Sequence, residues 1–227
     1  MDRPFVRMNV AVTADGKIDT FERRGAAISS ARDKERVDRL RADSDAVMVG
    51  GMTLHDEDPK LTIKSGVLRA EREAHGLPAN PAKVGIASRL ELKPDSNFLT
   101  AGSARIMLFT TSQTSESQLT LMRARGAELF VLEGERVDLI RTMTILKENG
   151  IQNLMVEGGA TLNFELLTLG LVDELTLYIA PLIFGGETAP TLAAGSGLVR
   201  SAAIHLKLIK SEAWEDGGVM LQYLLSK

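Results

Sequence analysis

Short apolar strands alternate with amphipathic helices along the first two-thirds of this chain, and that rhythm restricts its fold more than any other feature. Phe5 to Val12 reads as a strand, closed by the turn signal Thr13-Ala14-Asp15-Gly16-Lys17. Ser29 or Ser30 is placed to cap a helix running to about Arg41, with Val37 and Leu40 on its apolar side. Ala46 to Val49 is a buried strand ending in Gly50-Gly51. A short helix is expected from Met52 or Thr53, stopped by Glu57-Asp58-Pro59 because the residue before proline avoids helical geometry. Residues 64 to 82 read as a polar connection with a helical turn or more near Leu68 to His75.

Beyond it come strands at Lys83 to Ser88, Ala104 to Thr111, Glu128 to Leu132 and Asn153 to Glu157. Helices are expected over Ser115 to Arg125, Val137 to Asn149 and Thr161 to Leu169. The ending is different: Glu174 to Pro181, Ala203 to Ser211 and Gly218 to Leu225 all read as strands. Alternation predicts a mostly parallel central sheet flanked by helices, and the strand-rich ending predicts an antiparallel C-terminal hairpin. A single α/β domain over 1–227 is the simplest organisation.

Composition removes several alternatives. A net charge of −3 gives no basic patch for nucleic acid. The absence of cysteine excludes disulfides, Cys-based zinc sites and a Cys nucleophile. His55, His75 and His205 are far apart with no metal-ligand spacing, so no metal is expected. No apolar run approaches the roughly 20 residues that span a bilayer, and no signal core opens the chain, so a cytoplasmic protein is expected. There is no G-x-S-x-G, no P-loop and no G-x-G-x-x-G.

Ligands of open α/β sheets sit at strand C-termini beside helix N-termini. Four junctions qualify: Thr13 to Lys17, Gly50 to Thr53, Ala87 to Arg89, and Glu157 to Thr161. The last is the strongest, because two glycines after a buried strand allow a diphosphate to approach backbone N–H groups. A tight turn needing glycine for packing is the other reading. Asp15 reads as a turn residue, and the Glu157 carboxylate faces either a ligand or solvent. Trp214 to Gly218 reads as a hairpin turn.

The junctions carry a resemblance. Residues 9–17 (NVAVTADGK), 47–54 (VMVGGMTL), 58–62 (DPKLT), 156–163 (VEGGATLN), 170–174 (GLVDE) and 178–186 (YIAPLIFGG) follow one another as in the reductases of riboflavin biosynthesis. The chain resembles that family over nearly its full length. The resemblance implies a dihydrofolate-reductase-like fold and NADPH-dependent reduction of a phosphoribosylamino-pyrimidine to its ribitylamino form. By family position, Thr53, Glu57, Ser88, Arg89, Gly158, Gly159, Ala160 and Thr161 look like cofactor contacts. Asn9, Ser30, Leu61, Lys64 and Glu157 look like substrate contacts, with Asp15 and Glu157 as catalytic candidates. Arg89 suits the extra phosphate of NADPH, and Lys64 with Ser30 suits a substrate phosphate.

Asn9 stands where bacterial bifunctional relatives usually have Lys, and their cysteine-bearing zinc deaminase domain has no counterpart here. That resembles the stand-alone archaeal and fungal type, acting on 2,5-diamino-6-(ribosylamino)pyrimidin-4(3H)-one 5′-phosphate. Lys64 replaces a common Arg and Glu57 a frequent Asp. The alternatives are a reductase of 5-amino-6-(5-phosphoribosylamino)uracil, a pterin or dihydrofolate-type reductase, and a non-catalytic nucleotide-binding protein. The resemblance also implies a homodimer. The strand-rich ending supplies an edge and apolar surface, including Leu175, Leu177 and Ile179, for a partner or for the chain's own helices to cover.

Overall fold

The computed structural model describes residues 2–225. Its strands are β1 (Phe5–Thr13), β2 (Ala46–Gly50), β3 (Ala82–Ile86), β4 (Ile106–Thr111), β5 (Glu128–Leu132), β6 (Asn153–Val156), β7 (Glu174–Ala180), β8 (Leu206–Ala213) and β9 (Val219–Leu225). Its α-helices are α1 (Ala31–Ala42), α2 (Gly66–Ala74), α3 (Asn97–Thr100), α4 (Glu116–Ala124), α5 (Leu139–Glu148) and α6 (Ala160–Thr168). Thr53–Glu57 forms a π-helical turn and Arg200–Ala202 a 3-10 turn. None of these helices is long and apolar enough to cross a membrane.

The described chain divides into two compact units: Val37–Met155 with residues 2–4, and Phe5–Arg36 with residues 156–225. The first unit has strand order β5-β4-β3-β2-β6. Its pairs β2–β3, β3–β4 and β4–β5 are all parallel, as alternation with helices requires. β2, β3 and β4 are buried along their whole length, which explains why they are mainly apolar. Val49, Leu54, Leu61, Phe98 and Leu108 meet in one core cluster. Gly85 in β3 has a packing reason: a Cβ there would lie 2.7 Å from Leu108 and 3.0 Å from Leu54. Lys83 is 1 % exposed, and its Nζ donates to the carbonyls of Phe98 at 2.9 Å and Ala101 at 2.6 Å. The ammonium thus closes the C-terminus of α3, and burial pushes its pKa down to about 8.

The second unit has strand order β1-β7-β9-β8. β1 and β7 are parallel, and β9 lies antiparallel to β7 and to β8. The expected C-terminal hairpin is therefore present, with β8 at the edge. β7 is an inner strand, on which Leu175 is buried and Leu177 and Ile179 are half-buried, so these residues do not lie at the edge of the sheet. The edge strand β8 exposes Leu206, Leu208 and Ile209.

The boundaries shift at a few places. β8 begins at Leu206, because the segment before it holds the 3-10 turn. α2 is a full helix, capped by the Ser65 hydroxyl on the Leu68 N–H. α3 was not expected at all; four residues carry no periodicity to read.

Candidate active site

Five of the six α-helices have a side-chain cap. Ser30, Ser65, Ser96, Ser115 and Asp138 each accept from an N–H in the first turn of α1, α2, α3, α4 and α5. α6 does not. Its N-cap is Gly159, which has no side chain to cap with, so the N–H groups of Ala160, Thr161 and Leu162 lack an intrahelical partner. An uncapped first turn behind a glycine pair is a place where an anion satisfies backbone donors and the helix dipole favours its charge. Gly158 adopts φ 107°, which a side chain would oppose, and its peptide bond to Gly159 is cis. Thr161 is half-buried beside this turn and Ala160 is buried. Glu157 leads directly out of β6 into the turn and is half-buried.

Asn9, near the middle of β1, is 6 % exposed, and its Oδ1 accepts a 3.0 Å hydrogen bond from the Thr176 hydroxyl on β7. With Oδ1 so engaged, the Nδ2 group is the side of Asn9 that faces away from Thr176. Asp15, in the turn after β1, is exposed and surrounded by donors. Its carboxylate accepts from the Thr13 hydroxyl at 2.6 Å, the Gly185 N–H at 2.7 Å and the Phe184 N–H at 3.3 Å. The Thr13 bond, with the Gly185 and Phe184 N–H bonds, holds its pKa below the usual carboxylate value. Asp15 therefore ties two loops together as a carboxylate. Ser30 accepts from the Asp33 N–H at 3.2 Å as the cap of α1.

In the first unit, Thr53 is buried in the π-helical turn after β2, and Glu57 ends that turn exposed. His55 lies between them, and its Nε2 accepts from the Glu91 N–H at 3.3 Å. Burial lowers the pKa of His55, consistent with this neutral acceptor role. Ser88 follows β3 and is fixed through its carbonyl, which accepts from the Thr111 hydroxyl at 2.8 Å and the Thr110 hydroxyl at 3.1 Å. Arg89 projects next, exposed and ion-paired with Glu91. Beside it opens a cavity of about 550 Å³, lined by Lys93, Ser115, Ser117, Gln118 and Leu121 among others. The side chain of Leu61 is 1 % exposed and belongs to the core, and its φ of 49° turns its backbone sharply. Lys64 is exposed, and its backbone N–H is fixed by Asp38 at 2.7 Å.

Comparison with known proteins places this geometry in a family. Residues 4–220 match the model of the RibD C-terminal domain. The chain belongs to the RibD C-terminal domain family. It is 38 % identical to a 2,5-diamino-6-ribosylamino-4(3H)-pyrimidinone 5′-phosphate reductase of Archaeoglobus fulgidus, covering 89 % of this chain and 92 % of the relative. A reductase of the same name from Methanothermobacter thermautotrophicus is also 38 % identical, with 92 % and 93 % covered. Among solved structures, a pyrimidine reductase-like protein of Corynebacterium diphtheriae superposes with a TM-score of 0.83 at 20 % identity, covering 100 % of this chain and 93 % of that one. The fold expected from the sequence, α/β and dihydrofolate-reductase-like, holds.

Sequence reading passed over two polar residues that the structure singles out. Thr176 orients Asn9, and Asn163, inside the 156–163 motif, is wholly buried in the first turns of α6. Asn163 carried a signal: a polar side chain one turn after Gly159 in a helix whose neighbours Leu162 and Leu166 are core residues.

Proposed function

We propose that this protein reduces 2,5-diamino-6-(ribosylamino)pyrimidin-4(3H)-one 5′-phosphate with NADPH, converting the ribosyl group to ribityl. The observation that carries the reading is the uncapped first turn of α6 behind Gly158 and Gly159, in a chain that aligns along nine-tenths of its length with reductases of that name. A nucleotide diphosphate fits those donors, and the absent Cβ at both glycines leaves it room.

Gly158, Gly159, Ala160 and Thr161 hold the diphosphate in this proposal, while Thr53, Glu57, Ser88 and Arg89 serve the rest of the cofactor. The reduced nicotinamide supplies the hydride, which is the cofactor's own chemistry. Asn9, Lys64 and Glu157 serve the substrate: Lys64 as a point charge for its phosphate, Asn9 through Nδ2 as a donor, Glu157 as an acceptor for pyrimidine N–H groups. Asp15 shapes the loop at residues 184–185 around the sugar and remains ionised. The proton that completes the reduction then comes from water or from the substrate's own hydroxyl groups. Arg89 favours NADPH over NADH because a guanidinium pairs with a ribose phosphate. The test is NADPH oxidation followed with and without the substrate. Oxidation that depends strictly on the substrate and yields the ribityl product supports the reading; NADPH binding with no turnover on any phosphoribosylamino-pyrimidine rejects it.

The assembly that accompanies this reading is a homodimer formed at the edge strand β8. Leu206, Leu208 and Ile209 are each more than two-fifths exposed there, interspersed with Lys207 and Lys210, and an edge strand offers its backbone groups to a second strand.

A further inference from the structure

Asn163 is 0 % exposed, and its Oδ1 has no hydrogen-bond partner. The orientation of the amide is fixed by its other end: Nδ2 donates to the Leu192 carbonyl at 2.8 Å, and a flipped amide would set oxygen against oxygen. The amide is next to the glycine turn: a Cβ built on Gly158 would come within 3.8 Å of Nδ2. Above it, the segment around Leu192 is fastened to the first turn of α6 by the Ala194 N–H on the Ala160 carbonyl at 3.0 Å. A buried acceptor without a donor is destabilising, so its presence beside the uncapped helix end needs a reason.

We infer that Asn163 is a further cofactor-binding residue, its Oδ1 accepting a hydrogen bond from an O–H or N–H donor of the bound nicotinamide nucleotide. This inference rests on the cofactor assignment proposed above. The chemistry divides cleanly. Phosphate oxygens are acceptors and belong on the free N–H groups of Ala160, Thr161 and Leu162. Oδ1 is an acceptor too and repels phosphate, so it takes the donors that flank a diphosphate in such a cofactor: a ribose hydroxyl or the carboxamide N–H of the nicotinamide.

The test compares wild type with Asn163→Leu, which keeps the branched outline and removes both polar atoms, with Asn163→Ala as a second variant should the larger leucine disturb folding. Dissociation constants are measured by fluorescence titration for NADPH, its 3-acetylpyridine analogue (no carboxamide N–H) and 2′-phospho-ADP-ribose (no nicotinamide), alongside thermal melts. The expected result is at least a tenfold weaker NADPH affinity with a native-like melt. A matching loss for all three ligands assigns the donor to a ribose hydroxyl, and a loss confined to NADPH assigns it to the carboxamide. Unchanged NADPH affinity in a folded variant overturns the inference and leaves the cofactor assignment standing. Failure of wild type to bind NADPH overturns both.

Discussion

Gly159 concentrates the residue-scale argument. Its backbone, at φ −74° and ψ −177°, is extended and open to any residue, so a side chain there is a matter of space above α6 and not of strain. Gly159→Val is therefore expected to fold and to weaken NADPH binding at least tenfold, measured by titration against a melt. Asp15 supports a different prediction. Because Thr13, Phe184 and Gly185 hold it ionised, Asp15→Asn lowers kcat/KM through loop geometry without moving the pH profile between about pH 6 and 8. A lost alkaline limb in the variant's profile would restore Asp15 as the acid.

His55 predicts a stability effect. Its pKa in the fold lies below the ordinary 6.5, so below about pH 6.5 the unfolded chain binds the extra proton more readily. The stabilisation is present above that pH and is lost as pH falls. Denaturant midpoints should drop from pH 7.5 to 5.5, and His55→Gln, which keeps an acceptor for the Glu91 N–H, should flatten that drop. These residues also show where sequence reading ends. The glycine pair and Asn9 were legible from their motifs. The burial of the Leu61 side chain was not, because a motif position does not reveal that a side chain turns into the core. Ser30 read both as a helix cap and as a phosphate ligand, and the geometry shows the cap.

At the scale of elements, alternation and turn chemistry located every strand and five of the six α-helices, since each long element carries its own period. α3 escaped because its causes are remote in sequence. Asp58 accepts from the N–H groups of Asn97 and Phe98, and Lys83 from β3 binds the carbonyls at its far end. Lys83→Met should therefore cost about 2–3 kcal/mol by leaving buried carbonyls unpaired. Urea unfolding measures it, and a loss below about 0.5 kcal/mol would show that α3 holds without the ammonium. β7 was read as part of an edge because strand order is not written locally: only pairing with both β1 and β9 makes it an inner strand.

For the whole molecule, membership of the RibD C-terminal domain family and the architecture of both units agree with the sequence reading. The edge at β8 predicts a homodimer in sedimentation, and Leu208→Lys should shift it toward monomer. The central claim is the choice of pyrimidine. The most direct measurement is the ratio of kcat/KM with NADPH for 2,5-diamino-6-(ribosylamino)pyrimidin-4(3H)-one 5′-phosphate and 5-amino-6-(5-phosphoribosylamino)uracil, at matched concentrations. A ratio of at least ten in favour of the diamino compound is expected; equal rates, or a preference for the uracil, would contradict the account.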